Sequence, residues 1–150
     1  MSSLDLYQRD LLRAAADASH AGRLADADGT ATVNNPLCGD KITIDVTLNP
    51  DDNTVSSYAH ETEACVLCQA SAGLIGSTLV GANTSLVDET HKALKQVLDQ
   101  GTAKLPAQTA GFGIFAAVTD HTARHACVLM PFEALETAIT EAKNKSGDKS

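Results

Sequence analysis

Four cysteines and one aspartate carry the chemistry of this sequence: Cys38 and Asp40 flank Gly39, Cys65 and Cys68 stand three apart, and Cys127 lies alone near the last apolar stretch. Thiolates and carboxylates are the donors that zinc and iron take, and donors from three separate segments meet only if the chain folds around them. A metal or sulfur site is the leading expectation. The alternatives are two disulfides, or buried thiols serving as small hydrophobes. The opening MSSLDLYQRDLLRAA interrupts any apolar run with Asp5, Arg9 and Asp10, so it does not read as a signal peptide. A cytoplasmic location is expected, and thiols stay reduced there.

Within the set, Gly39 permits a backbone angle that turns the Cys38 sulfur and the Asp40 carboxylate toward one ion. Cys65 stands where a helix begins, and the unpaired amides and dipole of a helix start favour a thiolate. The Cys65-x-x-Cys68 spacing has further readings. A thioredoxin-like dithiol needs a βαβ setting, which an antiparallel hairpin before it disfavours. A four-cysteine zinc site would exclude Asp40, with sulfurs at i and i+3 both reaching the metal from the first helical turn. Five donors thus compete for four tetrahedral positions. His121 and His125 stand four apart and would share a helix face beside Cys127. No glutamate lies between them as in a HExxH motif, and they read as surface or helix-end residues.

These donors need elements to position them. Residues 4–18 place Leu4, Tyr7, Leu11, Leu12, Ala15 and Ala16 at helical spacing. Residues 19–37 have the Gly, Asp, Asn and Pro content of a loop that delivers Cys38. From Lys41 to Leu48, Ile42, Ile44, Val46 and Leu48 alternate with Thr43, Asp45 and Thr47, predicting a strand with one wet face. Asn49 to Asn53 is a turn, and Val55 to Thr62 a return strand toward Cys65. Val66 to Val80 predicts an apolar helix ending at Gly81. A further helix runs from Ser85, with Asp88 as capping-box partner, to Gly101. Residues 102–123 fit either a short helix or a packed loop. Pro131 fits the first position of a last helix through Phe132, Leu135, Ala138 and Ile139, with a frayed tail from Lys143.

Composition narrows the function. One domain over residues 1–150 is expected, since 150 residues at 43% hydrophobic content suit one core. Aromatics are 3% and the net charge is −8, which leaves no stacking platform for nucleic acid and repels phosphate backbones and anionic lipid. No nucleic-acid or membrane partner is expected, and no apolar run reaches the roughly 18 residues that suggest a bilayer span.

The string Asn34-Asn35-Pro36-Leu37-Cys38-Gly39-Asp40-Lys41-Ile42 resembles the N-P-x-C-G-D-x-I signature of the U-type iron-sulfur cluster assembly scaffold family. Cys65 to Ala72 resembles that family's C-x-x-x-x-A-S-A helix start. Ala123-Arg124-His125-Ala126-Cys127 with Phe132-Glu133-Ala134-Leu135 resembles its A-R-x-x-C and aromatic-x-A-L ending. Tyr7 to Leu24 is similar to the family's opening helix and following G-x-L, so the likeness covers nearly the whole chain.

The resemblance implies an α+β fold, a small antiparallel sheet of about three strands with helices on one side and a metal site at one end. It implies Cys38, Asp40, Cys65 and Cys127 as ligands of zinc or iron, with a transient [2Fe-2S] cluster as cargo. Cys68 falls where the family often has serine. Of two subclasses, the housekeeping scaffolds carry a histidine just before the last cysteine and an L-P-P-V-K segment gripped by a chaperone. The zinc type lacks both and accepts sulfur from a cysteine desulfurase. Ala126 precedes Cys127, no L-P-P-V-K is present, Arg124 is in the zinc-type position, and the stretch from Cys65 to Cys127 resembles the zinc-type insertion. His121-Thr122 departs from the F-P that is usual before A-R in both. The resemblance implies Cys38 as the sulfur acceptor, Arg124 as an orienting charge, and a desulfurase and cluster-acceptor proteins as partners. A structural zinc-binding interaction module is the rival reading.

Overall fold

In a computed structural model that describes residues 3–17, 19–35 and 39–147, three antiparallel strands form one sheet in the order β1-β2-β3. The strands are β1 (Gly29–Asn35), β2 (Asp40–Asn49) and β3 (Thr54–Glu63). The helices are α1 (Ser3–Ala16), α2 (Val66–Leu79), α3 (Thr84–Gln100) and α4 (His125–Gly147), with two 3-10 segments, Ala107–Val118 and Thr122–Arg124, between the last two. The fold is α+β, with the sheet and helices of the expected class.

Alternation in β2 sends Ile42, Ile44 and Val46 into the core, where none is exposed. The opposite face is not simply wet. Asp45 is buried there under residues 23–30: the Arg23 Nε donates to its carboxylate at 2.6 Å, the Leu24 amide at 3.0 Å and the Thr30 hydroxyl at 2.6 Å. Burial alone would raise this carboxyl, and the three donors together hold it below its ordinary value. The free edge of β3 is covered too. The Gly22 amide donates to the His60 carbonyl at 2.8 Å and the Val55 amide to the Ala82 carbonyl at 2.9 Å, which removes an open template for pairing.

Residues 19–37, read as a loop, contain β1, whose partners run from Gly29 opposite Val46 to Asn35 opposite Asp40. Helix α4 lies across β1 and β2. It approaches so closely that a Cβ at Gly29 would collide with the backbone carbonyl of Ala138.

Three helix boundaries differ from the sequence reading. Asn83, not Ser85, caps α3: its side-chain oxygen accepts from the Ser85 amide at 2.9 Å, while Asp88 pairs with Lys92 at 3.0 Å. Helix α4 begins at His125, six residues before Pro131, and continues to Gly147, into the tail expected to fray from Lys143. The undecided stretch 102–123 contains the packed 3-10 run Ala107–Val118, which buries Phe112 and Phe115. Phe112 meets Phe132 of α4 edge-on, ring centres 5.2 Å apart, so the protein's three phenylalanines form one cluster. Among the described residues no helix is long and apolar enough to cross a membrane.

Candidate metal centre

Three chain joints meet at one end of the sheet. The first is the β1–β2 turn, where the Gly39 amide donates to the Asn35 carbonyl at 2.9 Å. Gly39 has φ of 72°, a left-handed angle that side chains disfavour. The turn sets Asp40 at the head of β2 with its side chain facing inward, 7% exposed.

The second joint runs from β3 into α2. Cys65 holds the N-cap position with extended backbone (φ −65°, ψ 167°), and no side-chain oxygen satisfies the first amides of the helix. The Gln69 side chain donates to the Ala64 carbonyl at 3.0 Å and so braces the joint. Cys65 is half-buried, whereas Cys68, in the first turn, is fully buried among core residues.

The third joint is the entry to α4. Cys127, third residue of the helix, is fully buried and its thiol donates to the Asp40 carboxylate at 3.3 Å. Pro131 has no N–H to give the Cys127 carbonyl, so the ladder lacks one rung behind the cysteine. The Ser71 hydroxyl of α2 donates to the neighbouring Val128 carbonyl at 2.8 Å and ties the two cysteine-bearing helices together.

Among the described residues, Asp40, Cys65 and Cys127 each offer a ligand atom within 4.8 Å of the others. Ligands of a tetrahedral zinc lie about 3.5–3.8 Å apart, from bonds of roughly 2.0–2.3 Å. The Asp40–Cys127 separation of 3.3 Å lies just inside that edge, and the two sides to Cys65, at most 4.8 Å, need to close by at most about 1.3 Å. The soft sulfurs and one hard oxygen suit zinc or iron. Burial pushes the Cys127 thiol up, and the charges of Cys65 and Asp40 push it further. Burial, Cys65 and Asp40 likewise raise Cys68. A cation among these groups reverses that bias for its ligands, because a coordinating thiol is deprotonated outright.

Other residues fall elsewhere. Cys38 lies outside the described residues. Cys68 is not among the three converging donors. Arg124 is exposed on the 3-10 turn that leads into α4, three residues ahead of Cys127. His125 points its Nε2 at the Val118 and Thr119 carbonyls, at 3.0 and 3.1 Å, and so acts as a clamp on the preceding 3-10 run. His121 is exposed. The bracing roles of Gln69 and Ser71 have no ligand-type signature in the sequence, although both lie in the small-residue string after Cys65.

Comparisons with known proteins agree with this architecture. A Brucella abortus crystal structure of a nitrogen-fixing NifU-like protein, N-terminal part, superposes with a TM-score of 0.86 at 30% identity, covering 94% of this chain and 96% of that one. A putative iron-sulfur cluster assembly scaffold for the SUF system from Fervidobacterium islandicum shares the fold, with a TM-score of 0.78 at 21% identity over 92% of this chain and 99% of the other. The iron-sulfur cluster assembly scaffold protein IscU of Thermotoga maritima is 27% identical over 89% of this chain and 92% of its own length. The family model of the NifU-like N terminal domain matches residues 6–146, and the chain belongs to that family.

Proposed function

We propose that this chain works in iron-sulfur cluster assembly, accepting sulfur from a cysteine desulfurase and supporting a nascent [2Fe-2S] cluster, with Cys38, Asp40, Cys65 and Cys127 as the metal-ligating set. The observation that carries the reading is the convergence of Asp40, Cys65 and Cys127 from three distant joints into a 4.8 Å cluster. The Thermotoga relative and the Fervidobacterium neighbour, both named as assembly scaffolds, support it.

Bound zinc supplies a redox-inert centre that keeps thiolates deprotonated and ordered. The residues do the rest. Cys38 accepts the sulfane sulfur of the desulfurase persulfide by thiol exchange. Asp40 would be the exchangeable member of the set that holds the metal, since a carboxylate oxygen is held less covalently than a thiolate. A closed structural site, the rival reading, has no need of such a ligand. Arg124, exposed before α4, offers a positive charge to orient the partner's thiolate. The cytoplasm, where thiols stay reduced, is the setting this chemistry requires.

Metal analysis and a visible spectrum of protein purified without oxygen test the metal. Incubation with desulfurase and cysteine tests the acceptor role: a persulfide adds about 32 Da, on Cys38. Cys38→Ala is expected to abolish that label. An unlabelled, unaccelerated reaction beside a stable iron-sulfide chromophore would leave a scaffold without sulfur acceptance. Absence of both metal and chromophore would end the proposal.

A further inference from the structure

The two edges of the sheet are finished differently. On the β3 side, His60 is bonded outward through both backbone groups: its amide donates to the His20 carbonyl at 2.9 Å and its carbonyl accepts from the Gly22 amide at 2.8 Å. His60 stands opposite Ile44, and Ile44 opposite Ala31. Bonded and non-bonded pairs alternate in an antiparallel sheet, so Ile44 turns its own groups toward Ala31. Thr30, Thr32 and Asn34 therefore turn their amides and carbonyls away from β2. Among the described residues, no backbone hydrogen bond from outside the sheet reaches these three. Natural edges are blunted by charge, proline, a bulge or a cover. The β1 edge has none of these. Its sequence GTATVNN carries no charge and no proline, and its pairing with β2 runs without the register shift that interrupts β2 and β3 at Thr47 and Leu48.

The border of this edge is acidic. Helix α4 lies across β1 and β2, with Ala138 against Gly29, while α2 packs beside it through Ser71 and lies over β3. One residue beyond Ala138, Ile139 lines a groove with Thr84, Ser85 and Val87 of α3. At about 100° per residue, Thr137 falls on the flank away from α2 and α3, with Glu133 and Glu141 one turn to either side. That flank borders the outer side of β1, and all three residues are exposed. Lys143 and Lys145 line a cavity with Asp28, Leu48 and Pro50, at the end of the sheet away from the metal centre.

We propose that the outer edge of β1 docks an extended, basic segment of a partner protein, which pairs with it as a fourth strand. Backbone bonds to Thr30, Thr32 and Asn34 supply the affinity, and Lys or Arg side chains of the segment meet Glu133 and Glu141. A second copy of this chain fits less well. Pairing β1 with β1 about a two-fold axis sets the two acidic flanks against each other, in chains that each carry a net charge of −8. The docked segment runs along β1 as far as Asn35, opposite Asp40, and so brings its protein to the turn of the metal centre. The pairing uses none of the metal-ligating set and stands or falls separately from the sulfur-acceptor reading.

The probe is a peptide of about eight residues that alternates Lys with Thr and Val, matched to the length of a strand and added to the full chain. Hydrogen exchange at the amides of Thr30, Thr32 and Asn34 should slow by roughly tenfold or more, with little change at Ala31 and Val33, which already bond to β2. Methylating alternate peptide nitrogens should abolish binding in one register and spare it in the other, a comparison that leaves the protein unaltered. Thr32→Pro removes an outward donor and should weaken binding by roughly tenfold. Thr32→Val, which loses only the hydroxyl paired with Thr43, should bind as wild type. Joint Glu133→Lys and Glu141→Lys substitution should reverse the preference, toward a peptide with Glu in place of Lys. Absence of protection at the three amides, equal binding of the Lys and Glu peptides to wild type, or equal binding of the two methylated registers would each overturn the proposal. Protection that grows with protein concentration in the absence of peptide would assign the edge to a second copy and overturn it as well.

Discussion

The Ser71 hydroxyl of α2 reaches the Val128 carbonyl of α4 at 2.8 Å, a bond between residues 57 apart in the sequence and wholly buried. It lies one residue beyond Cys127, where Pro131 has removed a donor from the helix ladder. Ser71→Ala should therefore destabilise the protein by about 0.5–1.5 kcal/mol, the net worth of one buried hydrogen bond, since the Val128 carbonyl keeps its place in the helix ladder and only the Cys127 carbonyl faces the proline. The same variant should lose metal to a chelator faster than wild type. Urea unfolding and a zinc-competition assay read the two effects. A destabilised protein with unchanged zinc retention would limit the bond to a packing role.

Cys65 and Cys68 should separate in metal binding. Cys65→Ser removes one of three converging donors and should leave substoichiometric zinc, whereas Cys68→Ser should keep it, because Cys68 is outside that group. Elemental analysis of both proteins decides the matter. Equal loss from the two would make the site a four-cysteine one with Asp40 a bystander.

Acid should weaken the fold in two windows. Burial lowers His60, with His20 adding to the effect and Asp17 opposing it. Its unfolded form binds the proton more readily, so the stability it contributes is present above its ordinary value of 6.5 and declines as pH falls below that. Asp45 is also depressed in the folded state. Its contribution is complete above 3.8 and disappears as pH falls through the lower folded value. Denaturant midpoints at graded pH should show both declines. Arg23→Ala, which removes the donor at 2.6 Å, should shrink the more acidic one selectively. An unchanged acid limb in that variant would mean that the remaining donors hold Asp45 unaided.

How much of this was legible depended on what each residue packs against. Strand β2 was readable because Ile42, Ile44 and Val46 alternate over a buried face, and β3 followed as the return strand after the turn at Asn49 to Asn53. β1 was not. Its inward positions include Gly29 and Ala31, kept small by the close backbone of α4, and its Thr and Asn residues imitate a loop. Pro131 suggested a helix start because proline suits that position. The structure instead begins α4 at His125, on the turn of Thr122–Arg124, and tolerates the proline within the helix.

At the site, residue types alone identified five donors, and spacing could not choose among them. The choice between Cys65 and Cys68 depends on where α2 starts: one residue is the N-cap facing the joint, the other lies inside the helix facing the core. The bracing by Gln69 and Ser71 was invisible, because amides and hydroxyls show their partners only once the helices meet.

The missing rung at Pro131 makes α4 two mechanical parts in series. Below it, the helix is anchored along β1 and β2 by close backbone contact at Gly29. Above it, the short turn with Cys127 is steadied by Ser71 and the His125 clamp. With Cys127 as the metal ligand proposed above, a pull on its sulfur acts first on that short turn, and the proline keeps it from travelling down the helix into the sheet.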